Sequence, residues 1–246
     1  MTPVSGTPTI GMIVPPAAGE VPPEAPALYP EGVNFIAEGL ALQRLTPEGY
    51  DGVIGKVGDL ARTLKTRGAT AIALMGTSLS FYRGAQFNNE LITTMREAGG
   101  LPATTMSAGV VRALQALGAK RVVLGTAYGQ AVNDRLERFL TESGFSVTGC
   151  ASLDIEDVDS IFSVTGDMLM DLADRAVRTS GKADALFLSC GGLRTLNVTA
   201  PLERIHGLPV VSSSTAGAWQ AMRLIGHDPR VEGYGRLLSL NGQTPP

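Results

Sequence analysis

The sequence predicts an α/β protein with two similar domains, each a parallel sheet of about four strands flanked by helices. Two observations lead to this fold class. Short runs of apolar and β-branched residues alternate with longer segments whose apolar residues recur every three to four positions, the spacing of an α-helix. The second half of the chain also repeats the order of elements found in the first half. Two domains related by a pseudo-two-fold axis, with the functional site in the cleft between them, explain both observations.

The strands and helices follow from this alternation. Five segments are predicted to be strands: Thr9–Val14, Ala69–Met75, Arg121–Thr126, Ala183–Ser189 and Val210–Ser212. Four segments have helical spacing: Pro47–Arg67, Ser107–Leu117, Ala131–Glu142 and Asp167–Thr179. Thr46 followed by Pro47 is a typical helix start, because proline fits the first helical position. The proline-rich segment Pro15–Pro30 follows the first strand and is predicted to be a loop.

The internal repeat pairs strands of the two halves together with the residues that follow them. The segment ATAIALMG, which ends at Gly76, aligns with ADALFLSC, which ends at Cys190. LPATTMSAGVVRALQALG and LPVVSSSTAGAWQAMRLIG then follow in the same order, and TIGMIVPP has a counterpart in RVVLGTAY. A chance likeness of two strand–helix units is the alternative, but the paired order and spacing argue against it. Ligands bind beyond the carboxyl ends of parallel strands, so Gly76 and Cys190 should flank one cleft.

Length and composition limit the possible functions. The 246 residues fit two modest domains, and the repeat suggests residues 1–117 plus 214–246 for the first and 118–213 for the second. The net charge of -3, with 17% charged residues, leaves no basic face for a nucleic acid. No apolar run approaches the roughly 18 residues of a membrane span, and the start MTPVSGTPTIGMIVPP lacks the features of a secretory signal.

Cysteine and histidine are both rare in this chain. Cys150 and Cys190 are the two cysteines, which argues against a disulfide framework and favours a reducing cytoplasm. His206 and His227 are the two histidines, and no Cys/His cluster has metal-ligand spacing, so no metal site is expected. The absence of a well-placed histidine also disfavours a Ser–His or Cys–His hydrolase.

Cys190 is the candidate catalytic residue. It lies in Ser-Cys-Gly-Gly directly after an apolar strand, where the glycines leave backbone N–H groups open to an anion. A thiol with its ordinary pKa of roughly 8.5 is mainly protonated at neutral pH and can donate a proton to a bound carbon acid. A buried structural cysteine is the alternative. Cys150 fits that alternative better, because it ends an apolar strand and no glycine pair follows it.

Hydroxyl groups accompany the corresponding position of the first half. Gly76, Thr77 and Ser78 follow the strand there, and their side-chain O–H and backbone N–H groups could bind one carboxylate together. Small polar residues also cap helices, which is the alternative reading. Tyr128 follows the strand in RVVLGTAY and could add a phenolic donor, or could be a partly exposed loop tyrosine.

Six motifs together resemble those of the arylmalonate decarboxylases, a family of the aspartate/glutamate racemase superfamily. They are TPTIGMIVPPAAG, LTPEGYD, LMGTSLSFYRG, LGTAY, LSCGGL and GLPVVSSSTAGAW, and the resemblance covers nearly the whole chain. Superfamily relatives that racemise amino acids or hydantoins, or isomerise maleate, carry a cysteine in each half, whereas this chain has Gly76 in the first. One thiol can deliver a proton to one face only. A single-cysteine site therefore suits a reaction that forms a planar carbanion by losing carbon dioxide.

The resemblance implies a cofactor-free decarboxylation of α-aryl-α-methylmalonates, a small dicarboxylate class, to (R)-2-arylpropionates. Thr77, Ser78, Tyr128 and backbone N–H groups near Cys190 and Gly191 would hold one carboxylate and stabilise the enediolate that forms. Cys190 would then protonate this enediolate. The departing carboxylate would lie against apolar side chains, with Pro15 at the mouth of the site; the resemblance points to Leu42, Leu45, Tyr50, Leu79, Val158 and Ile161. The family also suggests a monomer.

Two other functions remain open at this stage. A racemase or isomerase of the same superfamily could act on an amino acid, a hydantoin or maleate with one cysteine and a substitute base, although Gly76 argues against it. A two-lobed binding protein of the periplasmic type could hold a carboxylate ligand in the same cleft. A secretory signal would favour the binding protein, and a thiol at the cleft has no role in it.

Overall fold

The computed structural model describes residues 6–240, and its strands form two four-stranded parallel sheets. The first sheet contains β1 (Thr9–Val14), β2 (Asn34–Gly39), β3 (Ala71–Leu74) and β4 (Ala103–Thr105). The second contains β5 (Arg121–Thr126), β6 (Ser146–Ser152), β7 (Ala185–Ser189) and β8 (Val210–Ser212). The strand orders β2-β1-β3-β4 and β6-β5-β7-β8 are the same pattern repeated. The α/β fold with two similar halves is therefore confirmed.

Ten α-helices are present in the described part of the chain. They are α1 (Glu24–Leu28), α2 (Pro47–Val53), α3 (Val57–Thr66), α4 (Thr77–Phe81), α5 (Ala85–Gly99), α6 (Met106–Ala116), α7 (Gln130–Glu142), α8 (Gly166–Thr179), α9 (Leu196–His206) and α10 (Ser213–Leu224). None of the described helices is long and apolar enough to cross a membrane.

Two predicted segments need correction. The proposed helix Pro47–Arg67 is α2 and α3 joined by a 3-10 turn at Ile54–Lys56. Thr46 does cap α2, accepting a hydrogen bond from the Gly49 N–H at 3.2 Å. Glycines at positions 52 and 55 weaken the continuous helix, because each costs about 1 kcal/mol relative to alanine. The proline-rich loop after β1 also contains the short helix α1.

Several elements have no counterpart among the predicted ones. Strands β2 and β4 lie at the two edges of the first sheet, and β2 is partly exposed, so neither presents a long apolar run. The helices α4, α5, α9 and α10 are also not among the four predicted helices. Helix α9 includes Pro201, which obscures a helical pattern. Edge strands and interrupted helices are stabilised mainly by tertiary packing, which a periodicity analysis does not detect.

The repeated helices α6 and α10 pack against each other and join the two halves. Both begin with a hydroxyl cap: Thr105 accepts from the Ala108 N–H at 3.0 Å, and Ser212 accepts from the Thr215 N–H at 3.3 Å. The two backbones approach closely at Gly109, where an added Cβ would lie 2.7 Å from the carbonyl oxygen of Ala216. This contact sets the distance between the two sheets.

The predicted domain boundaries stay a prediction. The strands of the first sheet fall within residues 9–105 and those of the second within residues 121–212. Helix α10 contacts strands of both sheets, so its assignment to one domain is a matter of definition. The ends of the proposed first domain, residues 1–5 and 241–246, lie outside the described residues.

The same substitution in two helices should have opposite effects on stability. Gly109→Ala places a methyl group against a backbone carbonyl that cannot move freely, so we expect a loss of about 1–3 kcal/mol. Gly58→Ala in α3 meets only ordinary contacts, 3.5 Å to Thr94 Cγ2 and 3.7 Å to Ala98 Cβ. It should stabilise the protein by about 0.5–1 kcal/mol. Urea unfolding measures both changes, and a stabilising Gly109→Ala would contradict the close helix contact.

Candidate active site

A cavity of about 260 Å³ lies where the carboxyl ends of β1, β3, β5 and β7 face each other. A residue of the cavity wall lies within two positions of the end of each of these strands, and the wall includes residues of both halves of the chain. The parallel sheets explain this arrangement, because ligand sites form beyond the carboxyl ends of their strands.

Most of the residues proposed from the sequence lie in the wall of this cavity. They are Pro15, Leu45, Gly76, Thr77, Ser78, Tyr128, Val158, Ile161, Cys190 and Gly191. Three do not reach the wall: Leu42, Tyr50 and Leu79 are fully or almost fully buried behind it. The structure therefore brings the polar candidates together and divides the apolar ones between the wall and the layer behind it.

Cys190 is buried at the end of β7, with 6% of its surface exposed. Its backbone N–H donates to Ser213 Oγ at 3.2 Å. Burial raises the pKa of the Cys190 thiol to about 11, while the backbone N–H groups of Gly192 and Leu193 and the Tyr128 hydroxyl act in the opposite direction. Burial has the larger effect, so the thiol keeps its proton at neutral pH. A protonated thiol that faces hydrogen-bond donors can act as a general acid.

Cys150 lies elsewhere and is not buried. It is exposed on β6, the outermost strand of the second sheet, and does not contribute to the cavity wall. The expectation of a buried structural cysteine at this position is therefore wrong. Because β6 has a neighbouring strand on one side only, its side chains are mostly half-buried, although its sequence resembles that of a core strand.

Thr77 and Ser78 begin the short helix α4 immediately after β3. The Thr77 hydroxyl donates to Met106 Sδ at 2.9 Å. A hydrogen-bond network behind them fixes the turn: Ser107 Oγ donates to the carbonyl of Thr77 at 3.0 Å, and Ser80 Oγ donates to Ser107 Oγ at 2.7 Å. The turn is thus held against α6 while its hydroxyls remain at the cavity wall.

Tyr128 and Tyr50 place two phenol groups near the thiol. Tyr128 is completely buried, its Oη lies 3.5 Å from Ser189 Oγ, and burial raises its pKa well above the ordinary value. Burial also raises the pKa of Tyr50, and the Ser78 side chain partly opposes this shift. The Tyr50 hydroxyl is buried and has no hydrogen-bond partner among the described residues. Both phenols therefore remain protonated, and both are potential donors.

Glycine is required at position 191 by a close approach between the halves. An added Cβ there would lie 2.9 Å from Met106 Sδ and 3.1 Å from the carbonyl oxygen of Met75. Both neighbours belong to the first half of the chain. The loop that carries Cys190 is thus packed closely against the first half of the chain, at the methionine that also accepts the Thr77 hydrogen bond.

Sequence reasoning missed part of the wall. The additional residues are Val14, Pro16, Ala18, Glu20, Val21, Pro22, Pro23, Glu24, Met75, Asp159, Phe162, Leu193, Arg194 and Ser214. Many come from the proline-rich segment after β1, and its position beyond a strand end was the available signal. Arg194 is the one cation in the described wall, four residues after the cysteine. Phe162 is about half exposed at its rim. No group of three or more potential metal ligands occurs among the described residues.

Comparison with known proteins identifies the family. The sequence profile described as arylmalonate decarboxylase matches residues 10–238. The arylmalonate decarboxylase of Bordetella bronchiseptica is 54% identical over 95% of this chain and 97% of its own length. The maleate isomerase of Nocardia farcinica is 28% identical over 93% of this chain and 94% of its own. A crystal structure of a glycine-to-cysteine, cysteine-to-serine double mutant of arylmalonate decarboxylase, in the liganded form, superimposes with a TM-score of 0.92. It is 53% identical and covers 95% of this chain and 99% of that chain.

The two parallel sheets and the cleft between them define an α/β enzyme of the aspartate/glutamate racemase superfamily. Within it, the chain belongs to the arylmalonate decarboxylase family. The prediction of a carboxy-lyase is thereby confirmed. The names of the two relatives both refer to small dicarboxylates, arylmalonate and maleate.

The buried thiol should show an unusual pH dependence of alkylation. In a Cys150→Ala variant, the rate at which iodoacetamide modifies Cys190 should rise about tenfold per pH unit from pH 7 to 9.5 without levelling off, because the pKa is about 11. Mass spectrometry of the labelled peptide measures this rate. The urea-unfolded variant, whose thiol has an ordinary pKa, serves as the control and should level off near pH 9.5. A plateau below pH 9 in the folded protein would contradict the raised pKa.

Proposed function

We propose that this protein decarboxylates α-aryl-α-methylmalonates to (R)-2-arylpropionates without a cofactor. The observation that carries this proposal is the asymmetry of the cleft: one buried, protonated thiol at Cys190 and, in the equivalent position after β3, Gly76 with no side chain. Family membership supports the reaction class. The geometry supports the roles of the individual groups.

One carboxylate of the substrate binds to the polar side of the cavity. Thr77, Ser78 and Tyr128 offer hydroxyl donors there, and the backbone N–H groups of Gly192 and Leu193 already act on the neighbouring thiol. As the C–C bond breaks, its electron pair moves into an enediolate and negative charge accumulates on the bound oxygens. Donors that are fixed in place before the reaction stabilise this charge more than they stabilise the substrate.

The departing carboxylate lies against the apolar side. Leu45, Val158 and Ile161 line the wall there and are all buried. A carboxylate on this surface loses hydration, and its conversion to neutral carbon dioxide removes the charge from an unfavourable place. Leu42, Leu79 and Tyr50 support this surface from behind, which is the role we assign to them instead of direct contact.

The substrate is a dianion and the described part of the cavity wall carries one cation. Arg194 is exposed and lines the wall, which also carries the exposed acidic side chains of Glu20 and Asp159 and the buried carboxylate of Glu24. A cation at this place attracts a dicarboxylate to a chain whose net charge is -3, and the two exposed acidic groups favour release of the monoanionic product. We propose a monomeric, cytoplasmic enzyme that needs neither nucleic acid nor membrane for this reaction.

Protonation of the enediolate completes the reaction. The Cys190 S–H proton moves to the α-carbon, and the resulting thiolate, which is strongly basic in its buried position, recovers a proton from water. Because the enediolate is planar and only one face meets a thiol, one enantiomer forms. By family resemblance this is the R product.

Isomerisation of maleate is the second candidate, because a maleate isomerase is 28% identical over most of this chain. The resemblance among superfamily members implies two cysteines for that reaction, and Gly76 supplies no second thiol. Incubation of the purified protein with maleate and with phenylmalonate, each followed by chromatography, separates the two candidates. Fumarate formation without carbon dioxide release would favour the isomerase.

Removal of the catalytic thiol should nearly abolish turnover. We expect Cys190→Ala and Cys190→Ser to lower kcat for phenylmalonate at least about 100-fold, because neither side chain is an effective acid near neutral pH. Carbon dioxide release, measured in buffer that contains a chelator, gives kcat. Cys150→Ala is the matched control, since Cys150 is exposed and outside the cavity, and should retain full activity. Loss of activity in Cys150→Ala with an active Cys190→Ala would refute the assignment.

Moving the thiol to the other half should invert the product. Gly76 has φ −127° and ψ 102°, which cysteine tolerates, and an added Cβ would meet mainly Leu79 Cδ1 at 2.7 Å, the end of a flexible side chain. Gly76→Cys with Cys190→Ser should therefore give the opposite enantiomer, with kcat reduced on the order of a hundredfold by imperfect placement. Chiral chromatography reads the outcome.

The matched control for this variant carries the same Cβ without a thiol. Gly76→Ser with Cys190→Ser should stay nearly inactive and should show no enantiomeric preference. Formation of the R product by the Gly76→Cys, Cys190→Ser variant would mean that another group protonates the enediolate.

A further inference from the structure

Glu24 is a buried carboxylate that the reaction as described above does not use. It begins α1, at the end of the proline-rich segment 15–23 that forms one side of the cavity, and its own surface is 6% exposed. Within residues 6–240, no lysine, arginine or histidine forms an ion pair with it. Its partners are instead hydrogen-bond donors on the other half of the chain.

Those donors are at the start of α9. The backbone N–H of Thr195 donates to Glu24 Oε1, the N–H of Leu196 donates to the same oxygen at 3.1 Å, and the Thr195 hydroxyl donates to Oε2 at 3.1 Å. Thr195 is the N-cap of α9, but its own side chain makes no capping hydrogen bond. Glu24 takes the place of a local cap, and its charge is favourable at the positive end of the helix.

The other end of this short loop is Cys190. Four residues separate the cysteine from Thr195, and the backbone N–H groups of Gly192 and Leu193 among them face the thiol. The serines at the start of α10 hold both ends. Ser213 Oγ accepts from the Cys190 N–H, whereas the Thr195 hydroxyl is hydrogen-bonded to Ser212 Oγ at 2.8 Å and lies 3.3 Å from Ser214 Oγ. These contacts fix the positions of residues 190–195.

We propose that Glu24 is a positioning residue that ties the segment 15–23 to the loop 190–195 and thereby fixes the direction from which Cys190 delivers its proton. The role of Glu24 in proton delivery rests on the proposed decarboxylation. The link that Glu24 makes between the segment 15–23 and the loop 190–195 does not depend on that reaction. Glu24 contacts one end of the cysteine loop and Cys190 lies at the other, so a change at Glu24 alters the thiol through the backbone between them.

Glu203 provides a matched control, because it lies on α9, the helix whose first residues donate hydrogen bonds to Glu24. It is a buried glutamate, 7% exposed, near the end of α9, and it accepts hydrogen bonds from the backbone N–H groups of Val210 and Arg236 at 2.9 Å. It does not belong to the wall of the cavity around Cys190. Loss of Glu203 therefore removes a comparable buried carboxylate without disturbing the cysteine loop.

The experiment compares Glu24→Gln and Glu24→Ala with Glu203→Gln and Glu203→Ala, using the full chain. Three kinds of measurement are made. Tm reports stability, and kcat, KM and enantiomeric excess for methylphenylmalonate report catalysis. The pH profile of Cys190 alkylation in the Cys150→Ala background reports the state of the thiol. For Glu24→Ala we expect kcat to fall about tenfold or more with a smaller change in KM, because a misplacement near 1 Å can cost about a hundredfold in rate. Enantiomeric excess should fall, and alkylation at pH 8 should become faster as the loop opens.

Glu24→Gln keeps the shape and one acceptor oxygen, but its amide NH₂ faces a backbone donor, so its effects should be in the same direction and smaller. The Glu203 variants should lower Tm while kcat, enantiomeric excess and alkylation stay within about twofold of the parent. If Glu24→Ala does not fold, Glu24→Gln decides the outcome. Folded Glu24 variants with the parent's kcat, enantiomeric excess and alkylation profile would overturn the proposal.

The two proposals fail in different ways. A parent protein that releases no carbon dioxide from arylmalonates contradicts the proposed function, and the alkylation profile still tests whether Glu24 holds the cysteine loop. An active parent whose Glu24 variants behave like the Glu203 variants contradicts only the positioning role.

Discussion

The burial of one protonated thiol is the constraint on which the site depends. Cys190 lies at the end of a fully buried strand, and loss of solvent raises its pKa to about 11 despite backbone N–H groups and a tyrosine hydroxyl that favour the thiolate. Burial and the hydrogen-bond donors act at different stages of the proton transfer. Burial keeps the proton in place until a strong base is formed beside it. The N–H groups then lower the energy of the thiolate that remains.

The cavity exists because two equivalent helices meet closely. Helices α6 and α10 approach at Gly109, and Met106 at the start of α6 lies against Gly191 in the cysteine loop. The same residue accepts a hydrogen bond from Thr77, so one methionine touches polar groups from both halves. A wider helix spacing would separate the hydroxyls of the first half from the N–H groups of the second, and one carboxylate could not reach both.

Much of this arrangement could be predicted from the sequence, because the central strands and their ends carry strong local signals. Thr9–Val14, Arg121–Thr126 and Val210–Ser212 match the predicted bounds, and the repeat correctly paired Gly76 with Cys190. Side-chain depth could not be predicted in this way. Leu42, Tyr50 and Leu79 are apolar or aromatic in the sequence, and only the packing of the whole fold decides that they lie behind the wall.

Residues that act across long distances in the chain escaped prediction for a related reason. Glu24 lies 171 positions before Thr195, and nothing in either local sequence signals that one caps the helix of the other. The expectation that Cys150 is buried failed because its strand lies at the edge of the sheet. The strand looks apolar in the sequence, but the Cys150 side chain is exposed there.

The repeat explains why a nearly symmetric fold can perform a stereospecific reaction. Duplicated strands and helices place equivalent backbone positions on opposite faces of one cavity, so the geometry alone does not distinguish the two faces of a planar enediolate. The difference arises from a single side chain: Gly76, two residues beyond the end of β3, carries hydrogen at the position where Cys190 carries sulfur. Leu79 and Pro15 lie where a side chain at position 76 would begin, and neither brings an exchangeable proton. Selectivity in such a site therefore depends on the lack of a second thiol on the opposite face as much as on the placement of the first.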